Sequence, residues 1–330
     1  MFNFLKKLGP GILFAGAAIG VSHLVQSTRA GADFGIGLIW ALLLVNLFKF
    51  PFFQYGPRYA NATGESLLDG YKKLGKNILS IYILISLATM FTIQTAVTIV
   101  TAGIASSLTN NIISVEIWTI IILIVCSVLL YFGKYKMLDK MIKIVISILA
   151  LSTILATYLA FNNFSYDFNL SQVLPKNNVE IAFLIAFMGW MPAPLDISVW
   201  HSIWTIEKNK SDGIQEMKTT LFDFNVGYFG TIILGISFVL LGYFVMNGSN
   251  LSFSNSATTF ATQLIEIYTS TFGSWSYILI GLATFTTMFS TTITTLDASP
   301  RAMHKATELI RNKKIKNGYI YWLFFCFKSR

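Results

Sequence analysis

The chain has 330 residues, 54% of them hydrophobic and only 12% charged, with a net charge of +9 and a mean hydropathy of +0.63. Soluble domains carry about one-quarter charged residues, so this composition excludes a soluble enzyme or binding module and points to repeated passage through a bilayer. The positive charge lies in alternate loops with no basic stripe interleaved with aromatics, which excludes a nucleic-acid partner.

Eight apolar spans can be placed in chain order, at about 9–30, 36–55, 77–107, 113–132, 137–162, 179–204, 220–246 and 274–297. Lys6 and Lys7 precede the first, and no small-residue cleavage site follows it, so it reads as a retained helix and not a removed signal. The segments after the even-numbered spans are basic. The first carries Arg58, Lys72, Lys73 and Lys76, and the second Lys134, Lys136, Lys140 and Lys143. The third carries Lys208, Lys210 and Lys218; the fourth has Arg301, Lys305, Arg311, Lys313, Lys314 and Lys316. The intervening segments are poor in basic residues, so every even-numbered span ends inside and the N-terminus is cytoplasmic. The expected location is a cytoplasmic membrane of bacterial type.

Between spans seven and eight, Phe260, Leu264, Ile267 and Tyr268 recur at helical spacing and predict a short helix on the outer face. Asp297 and Arg301, one turn apart where span eight leaves the membrane, are spaced for an ion pair. Cys126 and Cys326 lie in apolar segments and read as packing residues, not a disulfide. A ninth apolar run, Gly318–Phe327, reaches only about 15 Å as helix. Either it lies at the inner interface or the chain is cut short, and truncation is the reading adopted.

Two spans are interrupted. In span six, Met191-Pro192-Ala193-Pro194 should break the helix, because proline lacks the amide donor and clashes with the preceding turn. In span one, Gly16 and Gly20 are followed by Ser22 and His23, a weakened interior with a polar group at the break. Unwound backbone at membrane depth survives only inside protein or along a cavity, and in transporters it forms the substrate site. Breaks five spans apart fit an inverted repeat, with 1–163 as the first half and 164–330 as an incomplete second half. Lys49 and Asp223 are charged groups at similar places in the two halves.

Several segments carry a resemblance. Gly9-Pro10-Gly11, Ala30-Gly31-Ala32 with Phe34 and Gly35, Trp40 with its leucine run, and Thr63-Gly64-Glu65 resemble the opening of the natural-resistance-associated macrophage protein (NRAMP) family. Met191-Pro192 resembles the start of that family's Met-Pro-His motif. The resemblance implies an all-α, five-plus-five inverted-repeat transporter with helices one and six broken, here as eight complete spans and part of a ninth. It also implies proton-coupled movement of divalent metals such as manganese or iron. The departures fall on the site. The family's Asp-Pro-Gly-Asn aligns with Gly20-Val21-Ser22-His23, so the acid becomes Gly20 and the amide His23. Met191 is kept, the carbonyl ligand three residues earlier would be Met188, and the motif's His becomes Ala193.

Metal-binding candidates are therefore Gly20, His23, Met188, Met191 and Asp196, with His23, Met191 and Asp196 supplying side-chain ligands. Asp196 either ligates or caps the second half-helix. His23 is either a ligand or proton carrier, or a satisfied interior imidazole. Ala17, Thr287, Ser290 and Thr291 are candidates for a coupling ion, because hydroxyls of span eight facing the first break would resemble a sodium site. The primary expectation is a divalent-metal transporter of the manganese or iron class, extending to magnesium, with a proton or sodium as coupling ion and the lipid bilayer as its surrounding. Alternatives are a coupled carrier of a small organic solute such as an amino acid, and a non-transporting remnant. No organic cofactor is expected, and no Ser/His/Asp constellation, phosphate loop or Cys/His cluster indicates an enzyme.

Overall fold

Amides and carbonyls inside hydrocarbon have no water to bond with, so a spanning chain satisfies them within helices. The computed structural model, which describes residues 8–162, 164, 170–246, 254, 257–273 and 276–328, follows that rule: it is helical, with no strand among the described residues. The first span is split into α1 (Pro10–Ala18), a π-helical segment (Val21–Ser27) and α2 (Thr28–Phe34). Then come α3 (Ile39–Thr63), α4 (Leu67–Leu74), α5 (Lys76–Leu108) and α6 (Val115–Asn162). The sixth span is split into α7 (Asn178–Trp190) and α8 (Ile197–Asp212). The chain continues through α9 (Met217–Met246), α10 (Ala257–Phe272), α11 (Ser276–Arg311) and α12 (Gly318–Lys328).

Among the described residues, six stretches are long and apolar enough to cross a membrane. They correspond to the expected spans one to five and seven. Span six differs because it is two helices of 13 and 16 residues. Span eight lies within the 36-residue α11, whose middle is rich in threonine. Segments expected as basic loops are partly helical: 133–143 lies inside α6, α8 runs to Asp212, and α11 runs to Arg311. Lysine, arginine and glutamate are good helix formers, so the end of an apolar stretch is not the end of its helix. The predicted short helix is α10, with Phe260 and Leu264 buried; the side chains of Ile267 and Tyr268 lie outside the described residues.

The segments that connect the helices gather in two groups. Basic segments meet one another: Lys305 Nζ lies 2.8 Å from Asp69 Oδ1, Lys72 donates to Asn312, and Asn61 donates to the Gln215 carbonyl at 3.1 Å. The alternate segments meet as well, with Val173 N donating to Gly37 O at 2.9 Å and Arg29 donating to Ser254 O.

Two reciprocal packings build the centre. α9 runs along the first span, and at their crossing a Cβ on Gly227 would lie 2.0 Å from the Gly11 carbonyl, so only glycine fits. α3 runs along α8, where a Cβ on Gly56 would lie 2.4 Å from the Ser198 carbonyl. Small residues let backbones touch in this way, and membrane helices gain their attraction from that contact.

The α1 N-terminus is capped from outside its own helix. Buried Asp223 of α9 accepts from Gly9 N at 2.9 Å and from Gly11 N at 2.8 Å. Pro10 between them has no amide to satisfy. Asp297 and Arg301 do pair, and they do so within a buried cluster: fully buried Asp297 receives Arg301 Nε at 2.7 Å, Trp204 Nε1 at 3.2 Å and Tyr319 Oη at 2.9 Å. Tyr319 thereby pins α12 against α11. No disulfide joins Cys126 and Cys326.

Hydrogen bonds to a charged acceptor contribute about 1.5–3 kcal/mol each. Asp223→Ala should therefore lower the detergent-solubilised unfolding temperature by several degrees, and Asp223→Asn, which keeps one acceptor, by less. Equal unfolding temperatures for both variants and the parent would remove the cap from the account. Tyr319→Phe should selectively raise protease accessibility of the α12 end while leaving the rest of the cleavage pattern unchanged.

Candidate substrate site at two helix breaks

The first break follows from Gly20. α1 ends at Ala18, and Gly20 takes φ −144° and ψ −122°, outside the helical region. A side chain here is excluded by Thr291 of α11, whose Oγ1 would lie 2.6 Å from an added Cβ. The same hydroxyl lies 3.0 Å from the carbonyls of both Gly16 and Ile19 and shares its one proton between them. After the break, Ser22 Oγ lies 2.6 Å from Ala18 O and 2.7 Å from His23 Nδ1. His23 is fully buried, and its Nε2 lies 3.0 Å from Thr231 O of α9. A carbonyl only accepts, so Nε2 carries a proton. Both imidazole nitrogens are therefore engaged, as in the satisfied-interior arrangement.

The second break follows from its two prolines. In a continuous helix the carbonyl of residue i accepts from the amide of residue i+4. Met188 and Trp190 would look to positions 192 and 194, and both are proline. The chain leaves the helix at Met191, extended at φ −85° and ψ 134°, and re-enters it at Ile197. The freed carbonyls turn toward α3. Lys49 Nζ donates to Met188 O at 3.0 Å, Gly189 O at 2.9 Å and Met191 O at 2.7 Å, with Ala193 O at 3.4 Å.

The two breaks touch, with Ser22 Oγ 3.5 Å from Pro192 O. His23 and Met191 converge over Gly235 of α9: a Cβ there would lie 3.7 Å from His23 Cδ2 and 3.6 Å from Met191 Cε. A small cavity adjoins the breaks, lined by Ala17, Ser22, Val97, Pro194, Trp200 and Thr291 among others.

Gly20, His23, Met188 and Met191 are thus brought together, with Gly20 contributing space and Met188 a carbonyl already taken by Lys49. Asp196 is not directed at the junction. Its Oδ2 accepts from Thr89 of α5 at 3.2 Å, and it makes no side-chain cap to α8. Of the hydroxyl candidates, Thr291 faces the first break beside Ala17, whereas Thr287 and Ser290 bond back to Ala283 O and Thr287 O, both at 2.7 Å. Among the described residues no group of three His, Cys, Asp or Glu side chains is placed to hold a metal. Sequence reasoning noted Lys49 as a charge inside a span but gave it no role. The signal was the loss of the amide donor at Pro192, which leaves the Met188 carbonyl in need of a donor from another helix.

Comparison with known proteins agrees with this architecture. A family model described as natural resistance-associated macrophage protein-like matches residues 11–327. An uncharacterized protein of Pasteurella multocida is 36% identical over 311 residues, 93% of this chain and 72% of its own length. The solved manganese transporter of Eremococcus coleocola superposes with a TM-score of 0.72 at 13% identity, covering 99% of this chain and 69% of that one. A nucleobase-cation-symport-1 family transporter in a closed conformation superposes with a TM-score of 0.70 at 16% identity, covering 97% and 70%. At such identities the structural likeness speaks for the fold alone, while the family match covers nearly the whole chain. An all-helical apolar chain with two broken spans meeting at its centre, matched from residue 11 to residue 327, belongs to the NRAMP family of integral-membrane transporters, as a divergent member and not an enzyme.

Proposed function

We propose that this chain is a secondary transporter carrying a divalent metal ion, of the manganese or iron class or magnesium, across the cytoplasmic membrane with proton coupling. The observation that carries the reading is the junction of the two breaks, Ser22 against Pro192, in a chain of the NRAMP family. Met191 supplies a thioether there; His23 Nδ1 becomes a ligand when Ser22 Oγ leaves it, and the freed carbonyls supply oxygen when Lys49 or Thr291 yields them. Such a mixed set ranks the manganese or iron class ahead of magnesium as the substrate. Ser22 positions His23. Asp196, held by Thr89, is a carboxylate beside the second break and reaches the junction only if the start of α8 moves.

The five-plus-five arrangement, with 1–163 and 164–330 as its halves, is supported by the reciprocal packing of α9 on span one and α3 on α8. A cytoplasmic N-terminus is supported by the gathering of basic segments into one group. A second reading, a sodium- or proton-coupled carrier of a small organic solute, is favoured by the lack of a carboxylate at the junction among the described residues and by Thr291 on the first-break carbonyls.

Uptake by the full chain in liposomes separates them. Under the metal reading, manganese accumulates above the empty-liposome level, and an inward proton gradient increases it. His23→Ala and Met191→Ala should each lower uptake by about tenfold or more, the order lost when a metal site is disturbed, and Asp196→Asn should lower it less. Full manganese uptake by both junction variants would sink the ligand assignment. Sodium-driven accumulation of an amino acid, with none of manganese, iron or magnesium, would establish the second reading instead.

A further inference from the structure

Lys49 sits in α3 between Phe48 and Phe50, and its neighbours Phe48 and Phe52 are largely exposed on the apolar surface. An ammonium at such a place is costly unless paired. Among the described residues no carboxylate pairs with it. Its partners are backbone carbonyls only: Met188, Gly189 and Met191 within 3.0 Å and Ala193 at 3.4 Å.

Three close acceptors match the three protons of an ammonium. They lie at the C-terminus of α7, where the helix dipole is negative and favours a cation. They are free because Pro192 removes the donor that Met188 O would use and because the chain turns extended at Met191. Converging neutral carbonyls are also the ligand set that membrane proteins use for hard cations. The chain has thus built a carbonyl cage at a helix break and filled it from within.

We propose that Lys49 is a resident cation: its ammonium occupies a carbonyl site, formed by Met188, Gly189, Met191 and Ala193, that takes a small hard metal cation when the lysine side chain is absent. The native break is consequently organised without any external cation. Any solute ion that uses the Met188 carbonyl does so by displacing Lys49. This inference does not rest on which solute the chain carries.

Sodium is the probe, because imidazole and thioether donors at His23 and Met191 do not compete for it. Thermal unfolding of the purified full chain is measured in detergent while sodium chloride replaces choline chloride at constant ionic strength. The parent and Lys49→Arg should give the same unfolding temperature in both salts. Lys49→Met should unfold earlier in choline and recover saturably with sodium, by about 2–4 °C, or more at high occupancy. Should Lys49→Met not be recovered from either salt, Lys49→Gln, which keeps two amide donors, replaces it in the same titration. A neutral variant that shows no saturable gain from sodium overturns the proposal, and so does a parent that gains as much as the variant.

Discussion

A backbone carbonyl released inside a membrane must find a donor within the protein, and the centre of this molecule is organised by that demand. Pro192 and the extended turn at Met191 release carbonyls at the end of α7, and Lys49 gathers them. Gly20 releases those of Gly16 and Ile19, and Thr291 gathers them. The α1 N-terminus poses the converse problem of unpaired amides, and Asp223 answers it. In each case the partner comes from a helix distant in sequence. The breaks therefore tie α3, α9 and α11 to the two spans they interrupt, and a change in any partner is felt at the junction.

Electrostatics follow from the same arrangement. A cation-selective junction would ordinarily present anionic side chains to offset the loss of hydration. Here the positive Lys49 holds the Met191 carbonyl, and the carboxylate of Asp196 accepts from Thr89. A divalent ion entering this conformation meets an ammonium and an imidazole whose nitrogens are both engaged. Binding of such an ion thus requires a rearrangement at Lys49, at Ser22 and His23, or at the start of α8. Carriers with broken helices alternate between states around a fixed site.

Glycine sets how close the elements come. Gly227 on Gly11 and Gly56 on Ser198 bring backbones into contact at the two reciprocal crossings. Without those contacts α9 and α3 would stand off by the width of a side chain. Asp223 and Lys49 would then fall short of the groups they satisfy. Close packing and polar satisfaction are one constraint in this molecule.

The sequence by itself determined the membrane class, six of the spans and the two breaks, which depend on composition, run length and the local chemistry of proline and glycine, all acting within a few residues. The family was legible in short motifs such as Gly9-Pro10-Gly11 and Met191-Pro192. The sequence also singled out His23 and Met191, because polar or sulfur-bearing groups beside a break are visible in one dimension. It did not determine where Asp196 points, since that depends on α5 supplying Thr89 and not on the turn in which Asp196 sits. Nor did it show that Thr287 and Ser290 bond back to their own helix while Thr291 crosses to another, a distinction set by which face of α11 meets the first span. Lys49 is the clearest case. Its position in span two was legible as an isolated charge, but its role was decided only when α3 packed beside α7 and α8. The tertiary structure alone put that one ammonium at the place where the helix break had left carbonyls with no partner of their own.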